Sequence, residues 1–259
     1  VENEDDDQQS QEQDKDISTE NDELENKQND DSKNTKQLKV QIQQSQSDIQ
    51  AEQEAINVVT KRNPTNIRKT DSTQAEIVKK IDQGSIIEVI EYNENWYHYS
   101  DNQITGYVHK KHVENIVENP ESLQGIGIRN PTNVRERAST RSQIKHSFPI
   151  GSIIDLKTFS SDWYEAFDED GKHIGYIHHK HIGDIVFDNQ DSFKGIGIKS
   201  PTNIRLLPST KAKVAENRPI GDIINLKTFS QHWYEATNSS GKTIGYVHKN
   251  HIGDTVVTN

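Results

Sequence analysis

A short stretch that begins with tryptophan occurs three times in this chain of 259 residues. Its last copy reads Trp233-Tyr234-Glu235-Ala236, then a polar turn with Gly241, then Gly245-Tyr246-Val247-His248. Two alternating runs joined by a turn are typical of a β-hairpin. The chain has only three tryptophans, and each one opens a copy of this stretch: Trp96, Trp163 and Trp233. The sequence therefore predicts the same hairpin three times.

The hairpin is part of a longer repeat. In each copy a Pro-Thr-Asn-Ile-Arg or Pro-Thr-Asn-Val-Arg segment lies upstream of the tryptophan, at Pro64, Pro131 and Pro201. A fixed period of this length indicates tandem units. Short alternating runs and Gly, Pro or Asn between them leave little room for a helix and predict five or six strands per unit. Because so short a sheet would leave exposed edges, we expect an all-β fold of three small barrels, over residues 57–124, 125–194 and 195–259.

The first part of the chain has a different composition. Residues 1–56 hold 17 Asp and Glu against 5 Lys and Arg, whereas the remaining 203 residues hold 24 against 25. A segment so acidic and so poor in apolar residues cannot offset its ordering entropy, so a disordered tail or linker is expected. Spaced isoleucines allow a short helix near residues 38–56. The short polar links between repeats suggest a semi-rigid string.

The composition also excludes several kinds of site. The chain has no cysteine, which rules out disulfides and thiolate metal ligands. We find no nucleophile elbow, phosphate loop or metalloprotease motif, and we expect no enzyme activity, cofactor, metal or nucleic-acid partner. No apolar run approaches the roughly 20 residues that span a bilayer. The start at Val1 fits a secreted protein whose signal peptide has been removed, and it equally fits an excised fragment.

Several anchors together resemble a known family. The leading Asn-Ile-Arg, the glycine before an Ile/Val run, the Trp-Tyr pair and the closing Gly-Tyr-Val-His resemble bacterial SH3-like (SH3b) cell-wall-targeting repeats of Gram-positive autolysins and surface proteins. Tyr107, Tyr176 and Tyr246 replace the tryptophan of the family's Gly-Trp pair. The resemblance implies SH3-like barrels in a secreted, monomeric module that binds peptidoglycan peptides or teichoic acid, with any hydrolase domain outside this chain. An adhesin that binds host matrix or another protein is the alternative.

Alternation along the strands assigns the aromatic residues to faces. Tyr164 shares the inner face with Ala166, and Trp163 shares the outer face with Glu165. We therefore expect half-exposed tryptophans, which either bind ligand or cover the end of the core. The same alternation places a tyrosine and a histidine together on the next strand, available to a ligand or simply solvated.

The arginine that recurs in each repeat shares a face with the asparagine two residues before it and is a candidate to bind an anionic ligand. The predicted ligand-binding residues are Trp96, Trp163, Trp233, Tyr107, His109, Tyr176, His178, Tyr246, His248, Arg68, Arg135 and Arg205. The cluster His178-His179-Lys180-His181 lacks a metal-ligand spacing. Exposed histidines titrate near pH ~6.5, so binding of an anionic polymer is expected to strengthen as the pH falls, most of all in the third repeat.

Overall fold

The computed structural model describes residues 54–256, which form three antiparallel sheets of seven strands each. The only helical elements among these residues are three short 3-10 turns, so the all-β prediction is confirmed. The predicted disordered tail and its possible helix fall almost entirely on residues 1–53, outside the described residues. Ile56 already opens the first strand. No helix in the described part is long and apolar enough to cross a membrane.

The strands of the first repeat are β1 Ile56–Thr60, β2 Thr65–Arg68, β3 Ile77–Ile81, β4 Ile86–Glu91, β5 Trp96–Ser100, β6 Thr105–His109 and β7 Val113–Asn115, with a 3-10 turn at Lys110–His112. Those of the second are β8 Ser122–Gly127, β9 Thr132–Arg135, β10 Ile144–Phe148, β11 Ile153–Thr158, β12 Trp163–Phe167, β13 His173–His178 and β14 Ile182–Ile185, with a 3-10 turn at His179–His181. Those of the third are β15 Ser192–Gly197, β16 Thr202–Arg205, β17 Val214–Arg218, β18 Ile223–Thr228, β19 Trp233–Thr237, β20 Thr243–His248 and β21 Ile252–Val256, with a 3-10 turn at Lys249–His251.

All three sheets have the same strand order. In the first it is β3-β2-β6-β5-β4-β1-β7, and the second and third repeat it strand for strand. Side chains from all seven strands of the first sheet meet in one cluster that includes Ile67, Val89 and Val108. A sheet whose strands all contribute to one core is wrapped around that core, as in a small barrel. The seventh strand, after the 3-10 turn, is an addition to the five or six that alternation predicts.

Alternation decides which side chains form each core. On β11, Ile154 and Leu156 are buried in the second core, while Ile153, one position before them, points to the opposite side of the strand. The tyrosine after each tryptophan also points inward, as predicted: Tyr97 lies in the first core, and Tyr164 and Tyr234 pack against the second and third. The opposite side of the same strands carries the tryptophans and becomes the surface that matters for function.

Candidate binding faces

Each repeat has a front face, defined as the outer side of its tryptophan hairpin together with the aromatic residue four positions before the tryptophan. The hairpin register sets Trp163 opposite His178 and Glu165 opposite Tyr176, so all four side chains share this face. The third repeat has the same pairs, and in the first Trp96 lies opposite His109 and His98 lies opposite Tyr107. The front faces comprise Tyr92, Trp96, His98, Tyr107 and His109; Phe159, Trp163, Glu165, Tyr176 and His178; and Phe229, Trp233, Glu235, Tyr246 and His248.

The prediction of half-exposed tryptophans is wrong. Trp96, Trp163 and Trp233 each expose only 7% of their surface. One cause lies within each repeat, where the indole packs against the histidine opposite it, with ring centroids 4.9 to 5.0 Å apart. The charged neighbour is not a sign of exposure either, since Glu235 is itself buried and accepts a hydrogen bond from Thr243.

For Trp163 and Trp233 the preceding repeat adds a second contact surface, whereas Trp96 is equally buried without one. Each repeat also has a back face, defined by one outward residue of its first strand, one positive-φ glycine and one residue after its 3-10 turn. These residues are Val59, Gly84 and Ile116; Ile126, Gly151 and Val186; and Ile196, Gly221 and Val256. Val59 and Ile116 pack with Phe159, Trp163 and Tyr176 of the next repeat in one apolar cluster.

The second junction repeats the first. Ile126 and Val186 of the second repeat form a cluster with Phe229 and Trp233 of the third, against which Tyr246 also packs. The two fronts are therefore internal interfaces, and their apolar residues hold neighbouring repeats together. Predicted ligand residues Trp163, Tyr176, Trp233 and Tyr246 lie in these junctions.

Hydrogen bonds add specificity to both junctions. The backbone N–H of Val117 donates to the Phe159 carbonyl at 2.8 Å, and that of Phe187 donates to the Phe229 carbonyl at the same distance. A carboxylate of the preceding repeat also accepts hydrogen bonds from the turn before each tryptophan. Glu114 accepts from the Ser161 N–H at 2.6 Å, and Asp184 accepts from the His232 N–H at 2.8 Å.

Asp184 has further partners in the third repeat. Its oxygens also lie 2.7 Å from Nδ1 of His232 and accept a hydrogen bond from the Ser230 hydroxyl at 2.8 Å. Burial by itself would raise the pKa of Asp184, but these hydrogen bonds from His232 and Ser230 outweigh it and lower the pKa. The ionised form is thus the one that stabilises the junction.

The front of the first repeat differs, because no preceding repeat covers it among the described residues. Tyr92 stands where Phe159 and Phe229 stand in the later repeats, and it is 38% exposed where each phenylalanine is only 4% exposed. Its ring packs edge-on against Tyr107 at 4.7 Å, and Tyr107 in turn contacts His98 at 5.5 Å. The first front therefore presents two tyrosines and an imidazole to solvent, over a buried Trp96.

The histidines opposite the tryptophans have a structural task. Nδ1 of His109, His178 and His248 accepts the backbone N–H two residues on, at 3.2 to 3.3 Å, and so caps the following 3-10 turn. An accepting Nδ1 carries no proton, and burial lowers the pKa of all three imidazoles. The expectation that they titrate near the ordinary value is corrected accordingly.

The histidine that ends each 3-10 turn behaves in the same way. Burial, followed by the charge of nearby Arg62, lowers the pKa of His112 to about 4. Burial is also the main cause of the lowered pKa of His181 and His251. No group of three or more His, Cys, Asp or Glu suited to a metal ion is present within residues 54–256.

The three predicted arginines lie on the predicted face but are engaged locally. The side chain of Arg68 donates to the Ala75 carbonyl at 2.5 Å, and Arg135 and Arg205 make the same bond to Ser142 and Ala212 at 2.6 and 2.7 Å. Each guanidinium therefore anchors the loop that follows its own strand. Binding of a ligand by these arginines stays a prediction.

A cleft of about 340 Å³ opens at the second junction. Trp233, His232 and His248 line it from the third repeat, and Asp184 and Ile150 from the second. A second, wider cleft of about 610 Å³ lies beside the second barrel and is rich in acidic side chains, including Asp155, Asp168 and Glu169. The sequence reasoning did not single out either cleft, because each depends on how separate segments pack.

Sequence reasoning also missed the aromatic residue four positions before each tryptophan. Tyr92, Phe159 and Phe229 recur at that spacing, and this recurrence was the available signal. Its importance depends on contacts between repeats, since Phe159 and Phe229 are buried by the junctions and Tyr92 is not.

Comparison with known proteins bears on the first repeat directly. Residues 63–114, which include β2 to β6, match the family model described as the bacterial SH3 domain. No curated protein matches the chain significantly.

Solved structures with some similarity include a Listeria monocytogenes protein assigned as an autolysin, at 13% identity and a TM-score of 0.31, covering 77% of this chain and 96% of that one. NlpC1 of Trichomonas vaginalis shows 10% identity and a TM-score of 0.22, over 78% and 95% of the two chains. The first repeat is therefore similar to bacterial SH3 domains over residues 63–114, and the two repeats that follow have its strand order and its sequence anchors.

Proposed function

We propose that this chain is a non-catalytic module that binds the bacterial cell wall, and that the front of the first repeat is its main ligand face. The observation that carries the proposal is the uncovered aromatic surface of Tyr92, His98 and Tyr107 on a bacterial SH3 domain. Exposed aromatic side chains with polar groups at their tips supply stacking and hydrogen bonds, and such residues dominate binding energies.

The chemistry around this face favours peptidoglycan over an anionic polymer. Asp71 and Glu94 lie exposed beside the aromatic residues, and the repeat from 57 to 124 holds 10 acidic and 8 basic residues. Like charges would oppose a teichoic acid phosphate chain at this point. A peptide or sugar of peptidoglycan, with its amides and hydroxyls, fits the tyrosine hydroxyls and imidazole better. A secreted, wall-associated location follows from this ligand.

The three repeats are then unequal partners in binding. Two of the three fronts are buried in junctions, so the chain does not offer three equivalent tryptophan sites to a ligand. The second and third repeats extend the module and hold the first in a fixed orientation. If the module directs a catalytic domain to the wall, that domain lies outside these 259 residues.

The test is a pull-down with purified cell walls, before and after removal of teichoic acid. Tyr92→Ala should weaken binding about tenfold, the effect of losing roughly 1.4 kcal/mol of contact, without unfolding the chain. Ile144→Ala is the control, because it removes an apolar side chain of similar exposure, 46%, from strand β10, away from the first front and from both junctions. Unchanged binding of the Tyr92→Ala variant would contradict the proposal. So would loss of wild-type binding when teichoic acid is removed from the walls. Binding to host matrix and not to walls would favour an adhesin.

A further inference from the structure

The back face of the third repeat carries the same residues as the back face that the second repeat uses to hold the third. Ile196 and Val256 stand at the positions of Ile126 and Val186. Beside them Ile220 and Ile223 stand at the positions of Ile150 and Ile153. Every one of these four positions has an identical side chain in the two repeats, although nothing in the described part of the chain packs against the third repeat's back.

These residues are more exposed in the third repeat than in the second, as expected for an interface without a partner. Ile220 is 62% exposed and Ile223 is 55% exposed, whereas their counterparts in the second repeat are half-buried. A methyl group added at Gly151 would lie 3.0 Å from Leu207 and Ser209 of the third repeat, while one added at Gly221 would meet nothing within 4 Å. Large exposed apolar patches on soluble domains commonly mark interaction sites.

A polar group on this back face is equally unused. Asp254 occupies the position of Asp184, whose carboxylate accepts hydrogen bonds from the turn before Trp233. Asp254 is exposed, and its carboxylate has no hydrogen-bond partner among the described residues. The apolar and polar parts of a junction are therefore both present.

The front of the first repeat, by contrast, is not built as the complement. Its turn is completed internally, because the Asn93 side chain accepts the N–H groups of Asn95 and Trp96, both at 3.0 Å. Serines occupy that position in the later repeats and leave the turn to the neighbour's carboxylate. Asp71 also replaces the buried Ala138 of the second repeat. Terminal repeats of stacked arrays differ from internal ones in this way.

From this asymmetry we infer that the back face of the third repeat is a docking site for a further SH3 repeat, one whose front has the Phe-Ser and Trp of the second and third repeats. Ile196, Ile223 and Val256 would receive its phenylalanine and tryptophan, and Asp254 would accept hydrogen bonds from its turn. A head-to-tail contact of this kind does not close on itself and can be extended by further repeats. The inference does not depend on the wall ligand proposed above.

The binding partner in the test is a variant of this chain, called the probe. In it, Asp71→Ala, Tyr92→Phe, Asn93→Ser, Glu94→Ser and His98→Glu give the first repeat the corresponding residues of the second, and Ile223→Asp removes its own docking face. Labelled probe is mixed with unlabelled wild-type chain and followed by sedimentation velocity. Because junctions within the chain benefit from an effective concentration on the order of millimolar, the titration extends to high protein concentration.

We expect a complex of one probe with one wild-type chain. Ile223→Asp in the unlabelled chain should abolish it, whereas Ile144→Asp, at another exposed isoleucine, should not. A probe with the natural front and Ile223→Asp should bind at least tenfold more weakly. Failure of the remodelled probe to bind, or binding that is insensitive to Ile223→Asp, overturns the inference. Equal binding by the natural front would make the partner a second copy of this chain and overturn the assignment of a distinct SH3 repeat.

Discussion

The front of the first repeat and the fronts of the two later repeats have the same architecture and opposite surroundings. Tyr92 and Phe229 occupy one position, yet the tyrosine is open to solvent and the phenylalanine is buried against Ile126 and Val186. One added hydroxyl and one self-completed turn accompany the change from interface to open surface. The comparison shows that a repeated motif need not have a repeated role.

Truncation at this position should give the largest difference between the two fronts. Phe229→Ala removes a buried ring from a junction and should lower the free energy of unfolding by about 3–5 kcal/mol. Tyr92→Ala should cost about 1 kcal/mol or less, since its ring is largely solvated. Urea unfolding of both full-length variants measures the difference, and equal losses would break the comparison.

The back faces should differ at their glycines. Gly84 and Gly221 have φ of +80° and +85°, so alanine at either position has a left-handed strain of roughly 1–2 kcal/mol. A methyl group at Gly84 would also lie 2.8 Å from the Ala138 carbonyl carbon, which belongs to the next repeat's backbone and cannot easily move. We therefore expect Gly84→Ala to lose on the order of 1–3 kcal/mol more than Gly221→Ala. A difference near zero would mean that the first junction is loose.

The carboxylates give a smaller contrast of the same kind. Asp184→Ala leaves the N–H of His232 and the hydroxyl of Ser230 without their acceptor and should cost about 1–3 kcal/mol. Asp254→Ala should change stability by no more than about 0.5 kcal/mol. Thermal melts of the two variants side by side provide the measurement, and a costly Asp254→Ala would show that this back face is already in use.

Acidification should act on all three repeats alike, because the histidines pack within their own repeats. The native state holds His112 neutral down to about pH 4, and burial lowers the pKa of His109, His178, His181, His248 and His251 as well. The unfolded chain takes up these protons near pH ~6.5. Protons thus bind the unfolded state more strongly, and stability should fall as the pH drops from about 6.5 towards 4. Urea unfolding at several pH values checks the sign; a gain in stability on acidification would contradict it.

The sequence was sufficient for the parts of the fold that local patterns determine. Alternation placed Tyr164 inward and Trp163 outward, and the recurring glycines and prolines marked the same turns in all three repeats. It could not say what lies against an outer face. The acidic Glu165 and Glu235 suggested solvent there, but contacts from the preceding repeat bury those fronts, and Glu235 is satisfied by Thr243. Burial that arises between repeats has no period within one strand.

The fronts of the second and third repeats are interfaces that join the repeats into one body. Backbone ¹⁵N relaxation of the full chain can test this joining, since it reports the tumbling of each sheet separately. We expect the amides of all three sheets within residues 54–256 to share one rotational correlation time, and Phe229→Ala to release the third sheet to a shorter one. Correlation times in the wild-type chain as short as that of a single small barrel would show that the repeats tumble independently and that these fronts do not join them.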